Sequence, residues 1–313
     1  KIDMINLEPS NQTKLIGLDK HFLELIRLYN LGKYPSKLLL SGPKGIGKST
    51  LAYHFINYVL SNEENHKYNI ENFEINTESS TFKTIINKSN TNLIIIDVNL
   101  DKKSIDINQI RELIINLSKS SFNDKPRFVL IDNIELLNTN SINALLKVLE
   151  EPNKNVHFIL INSNQKILST LTSRCLNYKI NLTNNECLNV TNNLLGKELY
   201  ELVNKDLINY YFTPGNIFYL IKFADQHSYN LQDLDLKKFL KIIISENHYK
   251  KDPFMKYMIF DFVEFYFSQL SLSLSKRINE KYSYFLKKIS DTKTFNLDEE
   301  SLFTEFEEEV LNG

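Results

Sequence analysis

Residues 42–50 read GPKGIGKST, a G-x-x-x-x-G-K-S spacing suited to holding a phosphate. Glycines at 42, 45 and 47 let the backbone turn so that successive N–H groups point into one concavity, and a helix starting there adds the positive end of its dipole. At position 48 a lysine reaches terminal phosphates, and at 49 a serine hydroxyl can meet a magnesium ion. The expected nucleotide-binding set is Gly42, Pro43, Lys44, Gly45, Ile46, Gly47, Lys48, Ser49 and Thr50. Three of the chain's eight glycines fall in this stretch.

A phosphate loop of this kind shares its magnesium ion with an acid at the end of a neighbouring strand. Two acids qualify: Asp97 closes the apolar run LIIID, and Asp132 closes FVLID. Few other groups suggest chemistry. Only two cysteines are present, Cys175 and Cys187, so neither a disulfide framework nor a four-cysteine zinc site is expected, in keeping with a reducing cytoplasm.

These residues need elements to carry them. A helix is expected from Asp19 as N-cap, with Phe22, Leu25, Ile26 and Tyr29 on one face, stopping at Gly32. Apolar residues 38–40 lead into the loop as a strand, and Leu51, Ala52, Phe55, Ile56, Val59 and Leu60 form a helical stripe after it. His54 lies beside that stripe as a half-buried or surface residue. Residues 61–92 are weakly patterned and read as loops, with a hint of strand at 73–75. Residues 93–96 form a buried strand, followed by a helix from about Asp106 burying Ile107, Ile110, Ile114 and Leu117. A strand at 126–133 precedes a helix at 138–151, which presents Ile142, Leu145, Leu146 and Leu149 and stops at Pro152. Strands at 156–161 and 178–180 complete the set. The alternation predicts an α/β fold with an open, mostly parallel sheet, helices on both faces and ligands at the strands' carboxyl ends.

After residue 180 the pattern is helical. Thr183 and Glu186 spell a capping box, TPGN at 213–216 turns the chain into a helix through Ala224, and four or so helices follow residue 231. Asp252 and Pro253 start an apolar helix reaching about Leu274. Lys256, Asp261 and Glu264 interrupt it, which favours a buried bundle helix over a membrane span. The acidic end places Leu302, Phe303 and Phe306 on a final amphipathic helix. With 313 residues the chain has room for two or three domains, and its net charge of -1 excludes a globally basic nucleic-acid footprint. The first fourteen residues show no apolar signal core.

KLIG at 14–17, the GPKGIGKST loop, FVLIDNIELLNTNSINALLKVLEEP, VHFILINSN and LTSRC together resemble the clamp-loader branch of the AAA+ ATPases, most of all its non-motor subunits. The resemblance covers about residues 1–180, extends loosely over the next sixty, and matches the rest as a helical tail. It implies an AAA+ P-loop domain at 1–178, a small helical lid at 179–228 and an all-α collar that mediates oligomerisation at 229–313. It favours Asp132 over Asp97 as the magnesium acid, with ATP or ADP bound at the loop and its Mg2+ met by Ser49 and Asp132. Asn162 or Ser163 falls at the sensor-1 position, which adds Asn162 to the expected nucleotide-binding residues. Arg174 becomes an arginine finger offered in trans to a neighbouring ATPase, a device that raises P-loop hydrolysis by about 10³ to 10⁵.

Three departures matter. Motor subunits follow the magnesium acid with a glutamate that polarises water, whereas this chain has Asn133, which cannot take a proton. Glu135, two residues on, would lie on the same side of an extended segment. The helix after Gly215 begins Asn216, Ile217, Phe218, with no arginine at the sensor-2 position. Residues 61–92 also lack the family's cysteines, so no zinc is expected. The implied protein is a stator of a heteropentameric loader that holds nucleotide with weak or no hydrolysis. Its partners would be the other loader subunits, a sliding clamp and primed DNA, with no membrane. Arg111 reads either as a DNA-backbone contact or as a solvated helix residue. Two rivals stand beside this reading: an active motor-type ATPase and a P-loop kinase for a small substrate.

Overall fold

A computed structural model of the chain describes residues 8–99, 102–119, 122–150, 155–209, 212–271, 276–295 and 297–312. Elements alternate as expected: α1 (Asp19–Asn30), β1 (Lys37–Ser41), α2 (Lys48–Leu60), α3 (Ser80–Ile86), β2 (Leu93–Ile96), α4 (Ile107–Ser118), β3 (Arg127–Ile131), α5 (Thr139–Glu150), β4 (Val156–Asn162), α6 (Ser169–Thr172), β5 (Leu176–Lys179) and α7 (Asn184–Leu195). The strands form one sheet in the order β2-β3-β4-β1-β5, and every pairing is parallel. Strand side chains alternate between faces, so each apolar run feeds two cores. Leu38, Leu40, Phe128, Leu130, Ile159 and Ile161 meet α1, α2 and α3 on one face. Leu39, Val129, Ile131, Phe158 and Leu160 meet α4 and α5 on the other. Burial on both sides is why β1, β3 and β4 read as continuous apolar runs.

Local details differ from the sequence reading where polar chemistry outweighs apolar spacing. Asp19 is the first residue of α1, not its cap; Leu18 precedes the helix and makes no side-chain cap bond. Within 61–92 lies α3, a helix that apolar periodicity does not reveal. Ser79 caps it by accepting from the Phe82 N–H, while the Glu64 carboxylate accepts from Ser79 Oγ and from Thr81 N and Oγ1. On α4 the buried pair is Ile110 and Leu113, while Ile114 is 39% exposed; the buried stripe is turned by about one residue from the expected one. Asp106 caps α4 in a capping box with Gln109. His54 is wholly buried, with Nδ1 against Tyr68 Oη at 2.8 Å and Nε2 against the Gln12 carbonyl at 2.9 Å. β5 starts two residues before the expected strand at 178–180. Pro152, the expected stop of α5, lies outside the described residues.

The chain divides into two compact units. One takes in the residues up to Gly196 together with Thr213–Asn216, and the other takes Lys197–Phe212 and the chain from Ile217 onward. α8 (Pro214–His227) begins in the first and continues into the second. The second unit is helical, with α9 (Leu236–Ser245), α10 (His248–Lys251), α11 (Pro253–Ser271), α12 (Lys276–Phe295) and α13 (Glu299–Phe306). As the Asp-Pro signal predicts, Asp252 caps α11 by accepting from the Met255 N–H. The expected extension to Leu274 lies outside the described residues. Phe267, Phe285 and Phe306 meet ring to ring at the centre, and Leu302 and Phe303 are buried with them. Among the described residues no helix is long and apolar enough to cross a membrane.

Candidate nucleotide site

The pairing of β1 with β4 ends at Ser41 opposite Asn162, so the loop leaves the carboxyl end of the sheet beside the end of β4. The Asn162 carbonyl accepts from the Gly42 N–H at 3.3 Å. Gly47 immediately precedes α2 with φ of 98°, and Gly45 has φ of 81°, a region open to glycine and strained for other residues. Ile46 is buried between them, and Thr50 is half-buried on the first turn. The chain then returns to cover the loop. Thr213 Oγ1 donates to the Lys44 carbonyl at 2.8 Å and the Gly215 N–H to the Gly45 carbonyl at 2.9 Å. A Cβ on Gly215 would stand 2.7 Å from Gly45 Cα, so glycine is required on both sides of this approach.

Lys48 is 4% exposed. Its Nζ donates to the carbonyls of Gly42 at 2.9 Å and Pro43 at 2.8 Å, folding the ammonium back onto the loop. Burial pulls its pKa down to about 8, against the upward pull of the Asp132 and Glu135 carboxylates. Ser49 Oγ donates to Asp132 Oδ2 at 2.5 Å. Burial raises the Asp132 pKa, opposed by that hydroxyl, and the nearby Asp97 carboxylate raises it further. A half-buried hydroxyl beside a carboxylate penalised for its charge is an oxygen set that fits a hard divalent cation.

The two candidate acids play different parts. β2 and β3 pair up to Ile96 opposite Ile131, which brings Asp97 beside the residues after β3. Asn133 stands there with φ of 53° and ψ of 49°, a left-handed conformation that asparagine tolerates better than most residues. Its Nδ2 donates to Asp97 Oδ1 at 2.8 Å, and its N–H to Asp132 Oδ1 at 2.8 Å. Asp132 thus faces the loop, and Asp97 is occupied by Asn133. The segment is not extended as expected: Ile134–Leu136 makes a single tight turn. Glu135 therefore does not simply repeat Asn133 one pleat along, and one of its carboxylate oxygens is buried without a hydrogen-bond partner among the described residues.

The remaining expected residues are placed unevenly. Asn162 is buried at the site, yet its amide is taken by its own turn: Nδ2 donates to the Gln165 carbonyl and Oδ1 accepts from the Gln165 N–H. Ser163 follows it, half-buried. Arg174 lies after α6, away from the loop's hydrogen-bond network. Its Nε donates to Glu150 Oε1 at 3.1 Å, Nη2 donates to the same oxygen, and Nη1 donates to the Thr170 carbonyl at 2.7 Å. Arg111 sits on the exposed side of α4, 3.4 Å from Asn108 Oδ1. On α8, the helix expected to lack a sensor-2 arginine, Ile217 and Phe218 are buried. Sequence reasoning missed the Asn133–Asp97 link, the covering of the loop by Thr213 and Gly215, and Glu150 as the partner of Arg174. Of these, only TPGN carried a signal, and it spoke of a turn rather than of a destination.

The family described as "DNA polymerase III, delta subunit" matches residues 18–184 of this chain. A DNA polymerase III subunit gamma of Buchnera aphidicola (Schizaphis graminum) is 31% identical over 57% of this chain and 47% of its own length. A subunit delta' of Buchnera aphidicola (Baizongia pistaciae) is 28% identical over 51% of this chain and 48% of its own. The chain thus spans about half the length of these curated relatives. Among solved structures, a gamma subunit-related protein of Thermotoga maritima aligns over 90% of this chain and 96% of its own, at 16% identity and a TM-score of 0.44.

Proposed function

Because this chain belongs to the DNA polymerase III delta-subunit family, we propose that it is a clamp-loader subunit of the delta-prime, stator type. In this reading it holds ATP or ADP with Mg2+ at residues 42–50 and hydrolyses it weakly or not at all. Arg174 is then given to the nucleotide of a neighbouring ATPase subunit. The parts would be an AAA+ domain at 1–178, a lid at 179–228 and a collar at 229–313. The complex would be a cytoplasmic heteropentamer that loads a sliding clamp on primed DNA.

One observation carries this reading: the residue after Asp132 is Asn133, and its amide is spent on Asp97. Hydrolysis needs a group that accepts a proton from the attacking water, and an amide held by a carboxylate is not one. The nucleotide-binding part rests on Lys48, Ser49 and Asp132 standing together at the ends of β1 and β3. A bound magnesium ion would neutralise phosphate charge there, with Ser49 and Asp132 as its protein oxygens.

The rival reading, a motor-type ATPase, draws on the same intact loop, on relatives named gamma, and on the unpartnered oxygen of Glu135. A nucleotide-binding titration beside a single-turnover ATP assay on the isolated chain separates the two. Binding without turnover is the expected outcome, and turnover abolished by Glu135→Gln would favour the motor. For Arg174, the reconstituted complex is the test: Arg174→Ala lowers its ATPase about 10³-fold if the finger acts in trans, and an unchanged rate removes that role.

A further inference from the structure

Glu150 is the last described residue of α5. A carboxylate there opposes the helix dipole, whose C-terminal end attracts cations, so its placement needs another cause. The side chain that meets it is Arg174, 24 residues on in sequence. Nε and Nη2 both donate to Glu150 Oε1, and Nη1 donates to the Thr170 carbonyl one helical turn back. Arginine carries five N–H donors in a rigid fork. Three are engaged here, which leaves one N–H on each terminal nitrogen as a donor for a phosphate or carboxylate. The Arg174 side chain is 32% exposed, so the fork is anchored along one side while part of it faces solvent.

We propose that Glu150 is the positioning residue of Arg174. By holding the Nε side of the guanidinium, it fixes the arginine's rotamer before a partner's phosphate arrives. The ordering of a long side chain is then completed before the encounter instead of during it. The inference rests on the reading of Arg174 as a trans-acting finger and names the residue that makes the finger stiff. A surface ion pair with only a structural role would leave catalysis in a neighbouring subunit untouched.

The experiment is steady-state ATP hydrolysis by the reconstituted loader, containing the wild-type chain, Glu150→Ala, Glu150→Gln, Arg174→Ala or the double variant Glu150→Ala/Arg174→Ala. Thermal melting of each isolated chain checks folding, which Glu150→Ala should preserve because it removes an acid from a helix C-terminus. Glu150→Ala is expected to lower kcat about tenfold with KM unchanged, as a misplaced catalytic group does. Glu150→Gln, which keeps one acceptor oxygen, should recover part of that loss, and the double variant should match Arg174→Ala alone. Wild-type kcat in Glu150→Ala beside a reduced kcat in Arg174→Ala overturns the positioning role alone. A further loss in the double variant shows that Glu150 acts by another route and also overturns it. Unchanged kcat in Arg174→Ala overturns the finger itself, and the positioning role falls with it.

Discussion

The phosphate loop and Arg174 are both cationic sites of the first compact unit, and they are built in opposite ways. At the loop, Lys48 is buried, its ammonium satisfied by the Gly42 and Pro43 carbonyls, and the surrounding glycines are locked by Thr213 and Gly215. Arg174 is a third exposed and held by one carboxylate and one carbonyl. A cation that is desolvated and internally paired can act only on what enters its cavity. A cation anchored on one side and wet on the other can act on what arrives from outside. The first arrangement ties function to fold stability; the second separates them.

That contrast predicts where substitutions hurt. The largest effect should come from Lys48→Ala, which removes a charged donor worth about 1.5–3 kcal/mol per phosphate hydrogen bond. Affinity for ATP, followed by titration calorimetry, should fall about a hundredfold to a thousandfold. A loss under threefold would mean that nucleotide is not held at this loop.

Next is the pH dependence of stability. In the fold the Lys48 pKa lies at about 8, below its ordinary 10.5. Between these values the unfolded chain binds the proton and the folded chain does not, so stability rises as pH increases from about 8 toward 10. Below pH 8 the folded state carries the full cost of the buried charge, about 3 kcal/mol for a shift of this size. Urea unfolding at pH 7, 8, 9 and 10 should display the rise, and Lys48→Met should flatten it. The same proton loss should weaken nucleotide binding above pH 8, the opposite trend from stability.

Backbone geometry sets the third effect. Gly45→Ala places a Cβ 2.6 Å from Thr213 Oγ1 at a φ of 81°. The strain should cost about 1–3 kcal/mol in urea unfolding, with nucleotide affinity reduced in the same protein. Wild-type stability would mean that the Thr213–Asn216 cover is not closed over the loop in solution.

Asn133→Glu tests the acid end of the site. The substitution sets a second carboxylate where the amide now donates to Asp97 at 2.8 Å. It also puts a longer side chain at a left-handed φ of 53°. Like charges at that distance repel, so a loss of about 1–2 kcal/mol is expected in urea unfolding at pH 7, with no gain in ATP turnover. Robust hydrolysis by this variant would show that Asn133 alone held the site inactive.

The same contrast explains what was legible in the sequence. The loop is read from adjacent residues, because its chemistry is local: three glycines, a lysine and a serine fix their own geometry. The central strands are equally plain, since burial on both faces makes them uninterrupted apolar runs. What escaped depends on polar pairs between distant positions. α3 is held by Glu64 reaching to Ser79 and Thr81, and apolar spacing carries no trace of that. Asn133 reads in sequence as a missing base, but its link to Asp97 follows from the β2–β3 register. His54 sits beside an apolar stripe in sequence, and only the positions of Tyr68 and Gln12 make its full burial tolerable. Glu150 could not be matched to Arg174 without knowing that β4 and α6 bring α5's end to that arginine.

The smallest effect belongs to Arg174 in isolation, and it is the most telling for the contrast. Removing the arginine leaves Glu150 exposed to water rather than stranded in a core, since its side chain is 56% exposed. Exposed ion pairs contribute about 0.2–1 kcal/mol and are weakened by salt. A double-mutant cycle of Arg174→Ala and Glu150→Ala on the free chain should therefore give a coupling below about 1 kcal/mol in urea unfolding, shrinking between 0.05 M and 0.5 M salt. Lys48→Ala, by contrast, acts in a dry site where salt has little reach. If the Arg174–Glu150 coupling exceeded about 2 kcal/mol and ignored salt, the pair would be part of the fold's own stability, as the loop is, and the division between an inward and an outward cation would fail.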